Sequence, residues 1–305
     1  MTEITSDFRS GIVALIGPPN AGKSTLLNQI IGEKVAIVSP KPQTTRNQIT
    51  GILTREDVQI VFLDTPGIHQ RKGKLNSFLL KSAWDGLASA DVIVFLLDGH
   101  LYLQKPQLME RELVPLAERL KKVRNPLFIA VNKVDRVKDK KLLLPLSARL
   151  NELMPDVEIF FISARNGDGV QELLAKIIPV LPYGPPLYPE DQISTLPLRF
   201  MAAEIIREKL FLSLHKELPY NLAVQVEHWE ETETLVKIMA TIYVSRSSHK
   251  PIVIGHRGQL LKKVGQEARV EIEEIVGKKV YLELWVKIKP KWTENTSFLF
   301  SLGLG

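Results

Sequence analysis

Residues 12–25 read Ile12-Val13-Ala14-Leu15-Ile16-Gly17-Pro18-Pro19-Asn20-Ala21-Gly22-Lys23-Ser24-Thr25, and the apolar-periodic Leu26–Ile31 follows. A short apolar run, a loop with glycines at both ends, a lysine and a serine, then a helical pattern: this is G-x-x-x-x-G-K-[ST] in a strand–loop–helix setting. The glycines let backbone N–H groups converge on phosphate oxygens, and the helix that follows adds the positive end of its dipole. The reading assigns Gly17, Asn20, Ala21, Gly22, Lys23, Ser24 and Thr25 to a bound nucleotide. Lys23 is expected to reach the β- and γ-phosphates, and the Ser24 hydroxyl to ligate Mg2+. A glycine-rich turn without a ligand is the plainer alternative, and the flanking elements argue against it.

Outward from this loop, apolar runs at Ile12–Ile16, Ile60–Leu63, Val92–Leu97, Leu127–Val131 and Ile159–Ile162 alternate with helical patterns near Ser24–Ile31, Leu75–Ala88, Gln107–Lys122, Lys138–Glu152 and Val170–Ile178. Fully apolar strands separated by helices predict an α/β domain with a mostly parallel sheet covered on both faces. The stretch Gln48–Thr54 is separated from Gln59–Leu63 by a few polar residues, which predicts a hairpin and one antiparallel edge strand.

Three polar segments fall where strands end, the place where ligands bind in open α/β sheets. In Asp64-Thr65-Pro66-Gly67 the carboxylate is suited to hold Mg2+ through a water, and the Gly67 N–H to meet a γ-phosphate. In Asn132-Lys133-Val134-Asp135 the aspartate can accept from guanine N1–H and the exocyclic amine, a donor pair that adenine lacks. Asn132 is placed to tie this loop to the phosphate loop, and the Lys133 stem to cover the purine. Ser163-Ala164 offers the Ala164 N–H to guanine O6. Singly, each segment also reads as an ordinary polar turn.

Taken together, in order and spacing, the four segments resemble the motif set of the Ras-like (translation-factor-related) GTPases over residues from about Gly11 to Val180. The resemblance implies GTP and GDP as ligands, with Mg2+. It puts the first switch at Pro42-Gln43-Thr44-Thr45-Arg46, where one threonine completes the Mg2+ shell; Thr45 is favoured slightly over Thr44. Lys23, Thr45 and Gly67 are the expected catalytic groups, and Ser24, Thr45 and Asp64 the metal ligands. Where many such proteins carry a water-orienting glutamine, this chain has Ile68, which can neither donate nor accept a hydrogen bond. His69 and Gln70 read as spectators. Slow intrinsic hydrolysis, accelerated by a partner or cation, is therefore expected. Asn20 resembles the asparagine that in cation-assisted relatives helps bind K+ beside the phosphates; an asparagine tolerated in a tight loop explains it equally well.

Prolines crowd Pro179–Pro189, with 5 in 11 residues, and such a stretch can neither continue a helix nor pair in a sheet. The expected organisation is a GTPase domain over 1–180, a linker over 181–196, a small α+β domain over 197–291 and a tail over 292–305. In the second domain the predicted order is helix–strand–strand–helix–helix–strand, with Ile252-Val253-Ile254-Gly255-His256-Arg257-Gly258 leading into a helix from Gln259. That setting resembles the bacterial (type II) KH module, whose G-x-x-G loop clamps a nucleic-acid backbone. Gly255, His256, Arg257, Gly258, Lys262 and Lys263 are the candidate RNA contacts. Ile252, Ile254, Leu260 and Val264 suggest an apolar groove or, more simply, core. His249 is read as an RNA contact or, more simply, a solvated loop residue.

Charge supports this division. The chain of 305 residues carries +6 with a pI near 9.3. Between Arg246 and Lys291 there are 11 Lys/Arg against 5 Asp/Glu; between Glu190 and Glu233 the count is 4 against 9. The basic end leans towards polyanions. There are no cysteines, which excludes disulfides, thiolate nucleophiles and cysteine-ligated metals. No apolar stretch approaches the roughly 20 residues that span a bilayer, and MTEITSDFRS does not read as a secretory signal.

Both halves in this order resemble a family of bacterial ribosome-assembly GTPases. That resemblance implies binding near the 3′ end of small-subunit (16S) ribosomal RNA, action in 30S subunit assembly, a monomer, and a cytoplasmic location with peripheral contact at the inner membrane face. Two rivals are a KH-like domain that docks a protein partner, and an RNA-binding module fused to a non-hydrolysing nucleotide domain.

Overall fold

The computed structural model describes residues 7–68 and 73–304. His69 and Gln70 lie outside the described residues. Chain contacts define two units: Met1–Ala36, Thr45–Gln70 and Leu79–Thr195 form the first, and Ile37–Thr44, Arg71–Phe78 and Leu196–Gly305 the second.

In chain order the first unit contributes β1 (Arg9–Ile16), α1 (Lys23–Ile31), β2 (Ile49–Thr54), β3 (Val58–Asp64), α2 (Lys74–Ala88, its first turns counted with the second unit), β4 (Val92–Asp98), α3 (Gly99–Gln104), α4 (Pro106–Leu120), β5 (Leu127–Asn132), α5 (Leu143–Leu153), β6 (Glu158–Phe161) and α6 (Val170–Ile177). The sheet order is β2-β3-β1-β4-β5-β6, parallel throughout except for the β2–β3 hairpin at one edge. The parallel sheet and its one antiparallel edge strand are as expected; the strand order comes from the structure. Val13–Ile16 and Val92–Leu97 are almost completely buried, because helices cover both faces of the central strands. Each Val, Leu, Ile or Phe side chain among them contributes about 1.5–3 kcal/mol of burial.

Two local readings differ. The helix expected from Lys138 begins instead with a tight turn, Lys140–Leu142, and α5 starts at Leu143. Pro145 explains the late start, since a proline fits the first helical turn and not the interior. The short α3 was not foreseen; its cap is Asp98, whose side chain accepts from the Leu101 N–H.

The proline-rich stretch is a strap on the first unit. Ser10 N–H donates to the Pro182 carbonyl at 3.1 Å, and Ile52 N–H on the edge strand donates to Ile193 O at 2.8 Å. Gln59, fully buried, accepts from Leu187 and Tyr188 N–H at 2.7 and 2.9 Å and donates to Tyr188 O at 2.8 Å. Prolines stop this segment from becoming a strand, yet it covers an edge that would otherwise offer unpaired amides.

The second unit carries α7 (Leu198–Ser213), β7 (Leu222–Glu231), β8 (Leu235–Val244), α8 (His249–Ile254), α9 (Gln259–Val276), β9 (Lys279–Ile288) and α10 (Thr296–Ser301). Its sheet order is β7-β8-β9, with β8 and β9 parallel. Val236, Ile238, Ala240, Ile242 and Val244 alternate into the core on β8, and α9 presents Val264, Ala268 and Ile272 at helical spacing. The residues expected as a tail are ordered: Trp292 is fully buried and donates to Asn221 O at 3.1 Å, and Phe298 meets Tyr243 edge-on at 4.9 Å.

Helix α7 is buried on nearly every side and carries charge there. Arg207 pairs with Glu204 and donates to the Thr44 carbonyl, while Glu208 accepts from the Val38 N–H at 2.7 Å. Lys41 donates to the carbonyls of Phe211 and Leu214 at the end of the helix. Within the second unit, then, α7 holds the backbone of Ile37–Thr44.

Candidate functional site

In the first unit the polar segments singled out from sequence meet at the carboxyl end of the sheet. Gly17 leaves β1 at φ 150, and a Cβ there would lie 2.2 Å from the Leu96 carbonyl. Gly22, at φ 101, leaves room only for hydrogen, since a Cβ would fall 2.2 Å from Asn132 Nδ2. That approach lets Asn132 Nδ2 donate to Ala21 O at 2.8 Å, so the base loop and phosphate loop are joined through a buried amide.

Lys23 is buried at the start of α1, and its ammonium donates to the Gly17 and Pro18 carbonyls at 3.2 and 3.1 Å. Burial lowers its pKa to about 8, against the opposing pull of Asp64. Ser24 Oγ donates to Asp64 Oδ2 at 2.5 Å and lies 2.8 Å from Thr45 Oγ1, which also reaches Asp64 at 3.3 Å. Asp64 is fully buried, and burial raises its pKa to about 6 although Lys23, Ser24 and Thr45 favour the ionised form.

Asp64 Oδ1 has no hydrogen-bond partner. A buried carboxylate oxygen left unsatisfied among two hydroxyls fits a hard, oxygen-seeking cation, and the donor set suits Mg2+. Thr44 is turned elsewhere: its hydroxyl lies 2.6 Å from Ser39 Oγ and donates to Lys41 O. The two adjacent threonines, inseparable in sequence, are separated by the fold.

Gly67 packs on the phosphate loop, where a Cβ would come within 2.7 Å of the Pro19 backbone. Ile68 turns into the hydrophobic core and its N–H donates to Gly17 O at 3.0 Å. At the base loop, Ser163 Oγ donates to Asp135 Oδ1 at 2.9 Å and so orients the carboxylate. The Ala164 N–H donates to Asn132 Oδ1 at 2.9 Å, which satisfies a buried amide and ties this segment to the base loop. Lys133 adopts φ 66, and its ammonium donates to Asn20 O at 2.5 Å and pairs with Asp98 at 2.6 Å. Asn20 shares the left-handed backbone, φ 63. Thr25 continues α1.

In the second unit, α8 ends in the loop Gly255–Gly258. Gly255 has φ 77, Arg257 φ 49 and Gly258 φ 79. A Cβ on Gly255 would meet Leu260 Cβ at 2.6 Å and its N at 2.9 Å, so this glycine is required by space as well as by conformation. His256, Arg257, Lys262 and Lys263 are exposed or partly so, and no acidic residue occupies the first turn of α9. A groove of about 400 Å³ runs beside the loop, lined by Leu261, Lys262, Gln266, Arg269, Leu282 and Leu284. None of the four apolar positions weighed in the sequence as groove or, more simply, core lines it. Val264 is core, Ile254 and Leu260 pack against the core, and Ile252 is exposed. His249 is buried rather than solvated. The two leucines of β9 could have been found from their alternation with Tyr281, Glu283 and Trp285, which point the other way. Among the described residues no cluster of His, Asp or Glu is arranged to hold a metal by itself.

Fold and site together define a GTPase domain followed by a KH domain. Family models agree, matching "50S ribosome-binding GTPase" at residues 12–133 and "KH domain" at 217–293. The chain is 55% identical to GTPase Era of Nitratidesulfovibrio vulgaris over 298 residues, 97% of each chain. It belongs to the Era family of GTPases. Two solved structures share 38% identity: an Aquifex aeolicus Era variant bound to GDP and AlF4− (TM-score 0.89, covering 98% of this chain and 100% of that one), and Era in complex with MgGDPNP and nucleotides 1506–1542 of 16S ribosomal RNA (TM-score 0.90, covering 98% and 99%).

Proposed function

We propose that this protein is a GTP-controlled RNA-binding switch that engages the 3′ end of 16S ribosomal RNA through its KH domain and acts in 30S subunit assembly. The observation that carries the control element is the path of the chain through 37–45. Thr45 directs its hydroxyl to Ser24 and Asp64, while the preceding residue, Thr44, belongs to the second unit and gives its carbonyl to Arg207. Ordering Thr45 on the nucleotide side therefore acts on a segment whose other end is held by α7. The RNA role draws its support from the loop geometry, the exposed cations beside it, and the relative solved with 16S nucleotides 1506–1542.

Lys23, Ser24, Thr45, Asp64 and Gly67 form the reaction end of the GTPase site, and Asn132, Lys133, Asp135 and Ser163 the base end. Mg2+ held by Ser24 and Thr45, with Asp64 acting through water, neutralises charge on the β- and γ-phosphate oxygens. Lys23 supplies a buried positive charge to the same oxygens. Asp135, oriented by Ser163, selects guanine. With Ile68 turned into the core, nothing at that position orients the attacking water, so intrinsic turnover is slow and depends on an added group, a partner or K+ near Asn20. Among the described residues no helix is long and apolar enough to cross a membrane. Cytoplasmic action with peripheral contact at the inner membrane face, and a monomeric state, are proposed on the family resemblance.

The test is fluorescence anisotropy of a labelled single-stranded RNA matching the 16S 3′ end, with a scrambled control, at fixed salt. Tighter binding of the matched strand with a non-hydrolysable GTP analogue than with GDP is the expected result, and the ratio measures the coupling directly. Equal, strongly salt-dependent binding of both strands in both states overturns the RNA reading and leaves protein docking as the role of the KH domain.

A further inference from the structure

Asp98 lies outside every motif recognised in the sequence, yet it closes β4 directly opposite Asn132, the first residue of the base loop. Its two carboxylate oxygens are used differently. Oδ1 accepts from the Leu101 N–H at 2.9 Å and caps α3. Oδ2 accepts from Lys133 Nζ at 2.6 Å, and the same ammonium donates to Asn20 O in the phosphate loop at 2.5 Å. Both side chains of the pair are largely sheltered, at 21% and 13% exposure.

We propose that Asp98 is a positioning residue of the guanine-nucleotide site, fixing Lys133 as a strut between the base loop and the phosphate loop. The inference rests on the reading of Lys133 as a nucleotide contact. A lysine stem has four rotatable bonds and a strongly hydrated head, so on its own it samples solvent. Here the head is trapped between a carbonyl of one loop and a carboxylate that is itself immobilised by the cap of α3. The strut runs parallel to the second link between the same loops, Asn132 Nδ2 to Ala21 O. Two links at different points resist rotation of one loop against the other, which a single link does not. Charge on Asp98 is the active ingredient: an uncharged residue of the same shape keeps the cap and loses the strong half of the ion pair.

The experiment follows the dissociation of a fluorescent GDP from the full-length chain in Mg2+, for the parent, Asp98→Asn, Lys133→Met and the double variant. Asparagine caps helices as well as aspartate, so the melting temperature of Asp98→Asn should stay near that of the parent. Asp98→Ser, another capping residue, serves in the same cycle if Asp98→Asn folds poorly. Dissociation from Asp98→Asn is expected about tenfold faster than from the parent, the usual weight of a hydrogen bond to a charged group. Lys133→Met should be at least as fast, and the double variant no faster than Lys133→Met alone. Multiplying effects, or Asp98→Asn within twofold of the parent while Lys133→Met accelerates release, overturns the proposal and leaves the reading of Lys133 intact. Unchanged release from Lys133→Met removes that reading and the proposal with it.

Discussion

The nucleotide site and the G-x-x-G loop are built on opposite physical plans. At the first, polar side chains are buried and hydrogen-bonded to loop backbone or to neighbouring side chains: Lys23, Asp64, Asn132 and Ser163 are all nearly inaccessible. At the second, the backbone sets the shape through Gly255, Arg257 and Gly258, while the charged side chains stand in solvent. A buried polar group that loses its partner carries the full cost of its desolvation, whereas an exposed cation is screened by salt. Single substitutions should therefore act steeply in the nucleotide site and gradually at the loop, except where backbone geometry is touched.

The steepest test is Lys23→Ala, which removes the buried cation aimed at the phosphates. Single-turnover phosphate release should fall by about 100- to 1,000-fold; a loss below tenfold would break the contrast. Next come the two loop glycines, compared by urea unfolding. Gly255→Ala meets both a positive φ and the Leu260 backbone and should cost about 3 kcal/mol. Gly258→Ala, with nothing within 4 Å of the added methyl, should cost about 1 kcal/mol for its conformation alone. Reversal of that order would mean that space around the loop, as seen here, does not govern its stability.

A pH series probes the buried carboxylate. Asp64 has its pKa raised to about 6, so ionising it weakens the metal-free fold as pH rises from about 4 towards 6. Mg2+ requires the ionised form and competes with the proton. Below pH 6 the metal requirement should therefore grow, with half-saturation of nucleotide binding at pH 5 needing about ten times the Mg2+ needed at neutral pH. A flat profile would place Asp64 outside the metal's reach. The smallest effects belong to Arg257→Ala and Lys262→Ala. Each should weaken RNA binding severalfold and reduce the slope of log affinity against log salt by about 0.7 to 1. An unchanged slope would separate these cations from the phosphate path.

The two plans also explain what could be read in advance. The mostly parallel sheet followed from apolar runs long enough to be buried on both faces, and the phosphate and base loops from residues that no plain turn needs together. The KH element order was legible from alternation on β8 and helical spacing on α9. What escaped was tertiary in origin. Asp98 resembles any strand-ending aspartate until Lys133 is seen against it. Alternation along β9 puts Leu282 and Leu284 on one face, but that they line a groove with Leu261, Lys262, Gln266 and Arg269 depends on where α9 lies. Nothing in the sequence marks Arg207 and Glu208 as buried; Ile37–Thr44 offers them a backbone acceptor and donor.

By itself, then, the order of residues carried the motifs: a phosphate loop, an aspartate proposed to select guanine, a set of oxygen ligands proposed for Mg2+, a glycine-bracketed basic loop. These depend on residue type and local spacing, which a chain carries unfolded. The tertiary structure alone decided which of two neighbouring threonines turns to Ser24 and Asp64, where the Ala164 amide spends its hydrogen bond, and that a proline-rich stretch lies as a strap along a sheet edge. Each of those outcomes is a competition between partners distant in sequence, settled by which buried polar group would otherwise go unsatisfied.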